Sequence, residues 1–314
     1  MIFNIIFLIS GITLLYFGAE GLVNGSSRIA LRLGIKPVIV GLTIAAFGTS
    51  APELVVSVNA ALKNMGDISA GNIIGSNIFN IAVILGIASC IYPITVQKQL
   101  LRQDVPVMIG ASILCIIFLA DKHISRIEGL FLFALFFAYI IRLIVSARKE
   151  PQQSSQFQNG KKGNTVLDCL YIMIGLAGLI FGARLFIQGA IEIARFLKVP
   201  QAIIGLTIIA SGTSLPELAT STVAAFKKEN DIAIGNIIGS NIFNILAIMG
   251  ITGLIYPIRI EGIHQTDILV MVGLSLIVLP FMWTGFKLSR VEGVFLLLIY
   301  VVYTICLSQR IRLV

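Results

Sequence analysis

From Gly41 the chain reads Gly-Leu-Thr-Ile, then Gly-Thr-Ser-Ala-Pro-Glu53, then Gly71-Asn-Ile-Ile-Gly-Ser-Asn-Ile-Phe-Asn80. From Gly205 it reads almost the same again, through Gly-Thr-Ser-Leu-Pro-Glu217 to Gly235-Asn-Ile-Ile-Gly-Ser-Asn-Ile-Phe-Asn244. The copies lie at a constant offset of 164 residues (217 minus 53, 244 minus 80), and about 30 of 46 positions from Gly41 to Gly86 recur without a gap. Each copy places a carboxylate inside an apolar segment. Because the chain is 57% hydrophobic and only 12% charged, with a mean hydropathy of +0.97 over 314 residues, lipid must be the main solvent of those segments. The sequence is that of an integral membrane protein, and a duplicated, charged membrane motif is the sign of a transport site at a repeat interface.

A span needs about 20 apolar residues, and such runs fall near 2–23, 37–62, 68–92, 104–120, 126–147, 165–187, 201–226, 232–256, 267–284 and 290–309. The predicted fold is therefore all-α, with ten transmembrane helices in two sets of five. Residues 1–147 form the first set and 164–314 the second, and the polar, Pro- and Gly-punctuated stretch 148–163 links them. The offset reaches beyond the motif: Tyr92-Pro93 answers Tyr256-Pro257, and Ser125-Arg126 with Glu128-Gly129 answers Ser289-Arg290 with Glu292-Gly293. Five being odd, the second set enters the membrane from the opposite side, so the copies are inverted repeats about an in-plane axis and their motifs meet at mid-membrane. With the N-terminus outside, the inner gaps collect about 14 Lys and Arg and the outer gaps about 9. Both termini are thus expected outside, with the linker on the cytoplasmic side of the cell membrane.

The net charge of +8 does not indicate a nucleic-acid partner, because the basic residues are scattered in short gaps and never gather on one face. Four isolated cysteines, Cys90, Cys115, Cys169 and Cys306, give neither a disulfide framework nor a thiolate metal site and read as small buried hydrophobes. His123 and His264 lie between spans, so no histidine is placed to activate an intramembrane nucleophile, and no HExxH occurs. An enzyme is not indicated, and no cofactor is implied.

Pro52 and Pro216, each following a Gly-Thr-Ser run, should break or kink the second and seventh spans, freeing carbonyls near Ala46 and Ala210. Free carbonyls at membrane depth are tolerated only when buried in protein or lining a polar cavity. The hydroxyls of Thr49, Ser50, Thr213 and Ser214 add further oxygens. An ionised side chain at the bilayer centre costs at least about 2.5–3.5 kcal/mol, and neither Glu53 nor Glu217 has a Lys or Arg within its own span core. A bound cation is the natural counter-charge. Asn72, Ser76 and Asn80 are four apart and share a helix face, as do Asn236, Ser240 and Asn244. Of these stripes, Ser76, Asn80, Ser240 and Asn244 read as ligands, whereas Asn72, Asn77, Asn236 and Asn241 read as interhelical packing contacts. Gly71 with Gly75, and Gly235 with Gly239, have the spacing that admits a neighbouring backbone. The donor set is all oxygen, which suits Ca²⁺ or Na⁺ and disfavours Zn²⁺ and Cu⁺.

With these motifs, the chain resembles the cation/Ca²⁺ exchanger superfamily, and over nearly its whole length it is similar to prokaryotic Na⁺/Ca²⁺ exchangers. The resemblance implies ion ligation by Glu53, Glu217, Thr49, Ser50, Ser76, Thr213, Ser214 and Ser240, with Asn80 and Asn244 beside them. It also implies that the first and sixth spans slide over the other eight. Well-studied members carry Asp where this chain has Asn244, which makes the two halves chemically alike there and leaves both three-for-one and two-for-one Na⁺:Ca²⁺ exchange open. The expected function is Na⁺-driven Ca²⁺ antiport by alternating access. The alternatives are Ca²⁺/H⁺ antiport in the same scaffold and, further off, a cation channel. Glu20 and Arg184, near the ends of the first and sixth spans, are expected to snorkel to the interface.

Overall fold

The computed structural model describes residues 2–149, 165–197 and 210–311. Most of the 148–163 linker and the start of the seventh predicted span, including Gly205-Leu-Thr-Ile, lie outside the described residues. Helix α1 is Ile2–Leu33; α2 (Pro37–Thr49) and α3 (Ala51–Leu62) form a pair bent by 45°. Then come α4 (Gly66–Ile91), α5 (Leu100–Phe118), α6 (Arg126–Lys149) and α7 (Thr165–Phe196). A short turn, Ala210–Gly212, precedes α8 (Leu215–Phe226), and α9 (Asn230–Ile255), α10 (Gln265–Trp283) and α11 (Arg290–Ile311) complete the described chain. Among the described residues, eight helices are long and apolar enough to cross a membrane, and the bent pair makes a ninth. The protein is a multi-pass, all-helical membrane protein.

Burial grades from the centre outward. The apolar stretch of α9 is wholly buried and that of α4 largely so, whereas α6 and α11 expose most of theirs. Phe3, Phe17, Ile127, Met173, Ile174 and Val291 stand on the outer surface, where lipid accepts apolar side chains at no cost. Cys169 and Cys306 are on that surface too, so the expectation of four buried cysteines holds only for Cys115, with Cys90 half-buried. Their helices are the lipid-facing ones, and lipid is an apolar environment for a thiol just as a protein core is.

Helices α1 and α7 touch backbone to backbone along a seam of glycines at seven-residue spacing, Gly11, Gly18 and Gly25 on one and Gly175, Gly182 and Gly189 on the other. A Cβ at Gly18 would lie 2.7 Å from Leu179 N, and one at Gly175 would lie 2.6 Å from Leu22 N. Helix α1 also runs ten residues beyond the apolar stretch ending at 23, since Arg28 and Arg32 near its end reach the buried Asp168 at the start of α7, Arg32 at 2.8 Å. Both ends and the middle of the pair are therefore joined.

Four two-residue strands close the loops, a feature too short to leave a period-2 pattern in the sequence. Strand β1 (Ile94–Thr95) pairs antiparallel with β4 (Lys287–Leu288), and β2 (His123–Ile124) with β3 (Ile258–Arg259). Adding 164 to β1 gives β3 and adding it to β2 gives β4, so each ladder is the other with its two strands exchanged.

Candidate ion-binding site

The backbone at Ser50 has φ −84 and ψ 5, which ends α2 and starts α3 in a new direction. Pro52 then occupies the first turn of α3, where its missing N–H would have had no partner. Ser214 with φ −87 and ψ 9, followed by Pro216, repeats this at the start of α8. The consequence is that Glu53 and Glu217 both stand in the first turn of a helix, near the end that favours negative charge. The Ala46 carbonyl is not left free as expected: Ser50 N–H donates to it at 3.0 Å and Thr49 Oγ1 lies 3.4 Å away. Proline deprives the carbonyl four residues earlier, which is that of Gly48, so the sequence reading placed the loss two residues too early. Ala210 opens the turn before α8; its side chain lies outside the described residues.

The two motifs interlock. Ser50 Oγ donates to Glu217 Oε1 at 2.7 Å, and Ser214 Oγ donates to Glu53 Oε1 at 3.1 Å, so each repeat's serine serves the other repeat's acid. Ser214 Oγ is also 3.1 Å from Ser76 Oγ. Thr49 Oγ1 donates to Asn236 Oδ1 at 3.2 Å, and Thr213 Oγ1 to Asn72 Oδ1 at 3.1 Å. The structure therefore brings Thr49, Ser50, Glu53, Ser76, Thr213, Ser214 and Glu217 together through bonds that cross between the two repeats. Asn72 and Asn236, read as packing contacts, do join helices, and the groups they join are the site's own threonines.

Residues passed over in the sequence complete the second layer. Asn72 Nδ2 donates to Ser57 Oγ at 3.0 Å, and Asn236 Nδ2 to Ser221 Oγ at 3.1 Å. Their signal was present: each serine follows its glutamate by four residues in both copies, hence on the same helix face. Asn80 opens a π-helical turn, Asn80–Leu85, and Asn244 lies in another, Phe243–Met249. Such turns are rare and gather at functional sites, where they re-aim side chains.

What the cluster lacks is equally informative. Glu53 and Glu217 are both fully buried, yet Oε2 of each has no hydrogen-bond partner among the described residues. The same is true of Ser240 Oγ, Asn244 Oδ1 and both polar atoms of Asn80, all fully buried. Leaving a buried polar group unpaired costs about 1–3 kcal/mol, more when it is charged. Six such atoms from the same two motifs fit a hard cation, which would coordinate the five oxygens left unpaired among the described residues. GxxxG packing is visible in the second copy, where a Cβ at Gly235 would lie 2.7 Å from Val38 O and one at Gly239 would lie 2.8 Å from Leu42 Cα.

A family model described as sodium/calcium exchanger protein matches residues 3–145 and 168–309. The chain is 36% identical to the inner membrane protein YrbG of Escherichia coli (strain K12) across 88% of this chain and 87% of that protein. It is 32% identical to the sodium/calcium exchanger MaX1 of Methanosarcina acetivorans across 97% and 98%. Among solved structures, it is similar to the sodium-calcium exchanger NCX_Mj soaked with 2.5 mM Na⁺ and 0.1 mM Ca²⁺, with a TM-score of 0.84 at 32% identity over 96% of this chain and 97% of that one.

Proposed function

Since this chain belongs to the sodium/calcium exchanger family, we propose that it exchanges Na⁺ for Ca²⁺ across the cell membrane, with Glu53 and Glu217 sharing the transported ion. The carrying observation is the set of buried, unpartnered oxygens on Glu53, Glu217, Ser240, Asn244 and Asn80. Thr49, Ser50, Ser76, Thr213 and Ser214, with the Ala210 carbonyl and the remaining lone pair of the Ala46 carbonyl, complete the proposed ligand set. In this reading the chain has ten spans, arranged as inverted repeats 1–147 and 164–314, with 148–163 as the cytoplasmic linker and both termini outside. The exchanged-strand ladders and the reciprocal Ser50–Glu217 and Ser214–Glu53 bonds support that inversion.

Alternating access is the mechanism, with α1 and α7 sliding as a unit over the remaining helices. Asymmetry between the halves supports it. Helix α1 packs along α8, whereas no comparable packing joins α7 to α3, the equivalent pair. Thr220 is therefore 0% exposed, while Val56, its equivalent at an offset of 164, is 36% exposed. The approach is closed by packing on the α1–α8 side and is looser on the α7–α3 side, while Glu53 and Glu217 themselves stay fully buried. On the closed side Lys227 Nζ donates to Glu20 Oε1 at 2.7 Å and Asn24 Oδ1 at 2.9 Å, so Glu20 is held in an ion pair and does not simply snorkel. Its repeat equivalents are Arg184 and Lys63, two like charges. A partly exposed pair of this kind contributes about 0.2–1 kcal/mol, so Lys227→Ala should shift the population toward opening on that side by about 1.4- to fivefold. Labelling of a cysteine introduced at Thr220, with the four native cysteines replaced, should accelerate by that factor. An unchanged labelling rate removes Lys227 from the latch.

Ca²⁺/H⁺ exchange would use the same pocket, with protonation of Glu53 or Glu217 replacing Na⁺. Uptake of ⁴⁵Ca²⁺ into proteoliposomes under separately imposed Na⁺ and pH gradients decides between them. The expected result is uptake driven by outward Na⁺ and none by a pH gradient alone; the reverse pattern overturns Na⁺ coupling. Single-channel currents would overturn exchange altogether.

A further inference from the structure

We propose that Asn77 is a positioning residue that fixes which atom of Asn244 faces the ion, so that Asn80 and Asn244, identical in sequence context, are unequal in function. This rests on the assignment of Asn244 as an ion ligand. Asn77 is buried beside the site, with 1% of its surface exposed. Its Nδ2 points at the backbone carbonyl of Asn241, 3.5 Å away, and at Met271 Sδ, 3.7 Å away. Both atoms can only accept, and that settles the orientation of the Asn77 amide. Its Oδ1 is then turned to Asn244, whose Nδ2 donates to it at 3.0 Å. An amide whose nitrogen is so engaged presents its oxygen on the other side, and Asn244 Oδ1 is the buried, unpartnered atom of that residue. The relay starts at a backbone carbonyl and ends on a free oxygen.

The equivalent relay in the first repeat does not exist. Asn241, at 77 plus 164, donates instead to Ile237 O of its own helix at 2.9 Å. Asn80 consequently has neither its nitrogen nor its oxygen engaged. Two copies of Gly-Ser-Asn-Ile-Phe-Asn thus give one amide held with its oxygen outward and one free to turn. A donor that must be ordered on binding loses part of its affinity to that ordering, which amounts to about 0.5–1.5 kcal/mol for one side chain, or about two- to tenfold. Asn77 spares Asn244 this loss.

The test is Ca²⁺ uptake in proteoliposomes, reading the half-saturating Ca²⁺ concentration apart from the maximal rate. Asn77→Leu should raise half-saturation about two- to tenfold with the maximal rate within about twofold of the parent. Asn77→Ala, which removes the amide without adding bulk, should show the same split, and Asn241→Leu should leave half-saturation unchanged. In an Asn244→Ala background, Asn77→Leu should add nothing. Equal effects at Asn77 and Asn241, or an additive effect in the Asn244→Ala background, overturn the proposal. If Asn244→Ala raises half-saturation but the Asn77 variants do not, positioning fails while the ligand assignment stands. If Asn244→Ala itself changes nothing, the ligand assignment fails and the positioning role goes with it.

Discussion

Glu53→Gln and Glu217→Gln are each expected to reduce Ca²⁺ uptake by two to three powers of ten, and the double variant to abolish it. Gln keeps the size of Glu and an oxygen for the serine of the opposite repeat, Ser214 for Glu53 and Ser50 for Glu217. Folding should therefore survive, and what is lost is charge. Two other buried acids have cationic neighbours: Asp104 faces Arg142 at 2.8 Å and Asp168 faces Arg32 at 2.8 Å. Glu53 and Glu217 have no such ion pair among the described residues, so a divalent cation between them is balanced only while both are ionised. Leaving a buried charge without its partner costs about 3–5 kcal/mol, which is at least a hundredfold in affinity. Equilibrium ⁴⁵Ca²⁺ binding and uptake should fall together. Parent-like uptake by the double variant would contradict the site outright.

The candidate site was legible in the sequence because its residues are anomalies: a Glu, a Pro and several Asn inside apolar spans have few explanations at membrane depth. Duplication then showed which anomalies belong together, and the reciprocal serine–glutamate bonds follow from it. Hidden from the sequence was how identical residues of the two copies come to differ. Asn77 and Asn241 have the same neighbours in sequence yet reach different carbonyls, because one copy's helix partners sit differently around it. The same holds for α1 lying on α8 while α7 stands off α3. A repeat that works by alternating between two arrangements must break its symmetry in any one of them, and a sequence holds only what both arrangements share. The extension of α1 to Leu33 was missed for another reason: the apolar run stops at residue 23, and hydropathy cannot see the carboxylate waiting on another helix for Arg28 and Arg32.

The second large effect is expected at the seam between α1 and α7. Gly18→Leu and Gly175→Leu should each abolish uptake and lower the thermal midpoint of the purified protein, whereas Gly273→Ala, with open space around it, should change neither. At Gly18 the nearest atoms to a new Cβ are Leu179 N at 2.7 Å and Gly175 O at 2.8 Å, both backbone. A side chain can rotate away from an intruder; a helix backbone cannot, so the pair must separate. Overpacking of ordinary cores costs typically about 1–3 kcal/mol per site, and here the whole helix moves, carrying the Arg32–Asp168 pair at the far end with it. In lipid there is no hydrophobic force to draw separated helices back together, since tails solvate an exposed Leu as well as a neighbour does. In the sliding mechanism proposed above, this close backbone contact is what would make α1 and α7 one body, able to close one route in the same movement that opens the other. If Gly18→Leu folds but leaks or stalls, with ⁴⁵Ca²⁺ binding intact, the seam serves movement more than assembly. If both variants transport at the parent rate, the two helices do not move as a unit and the sliding mechanism fails.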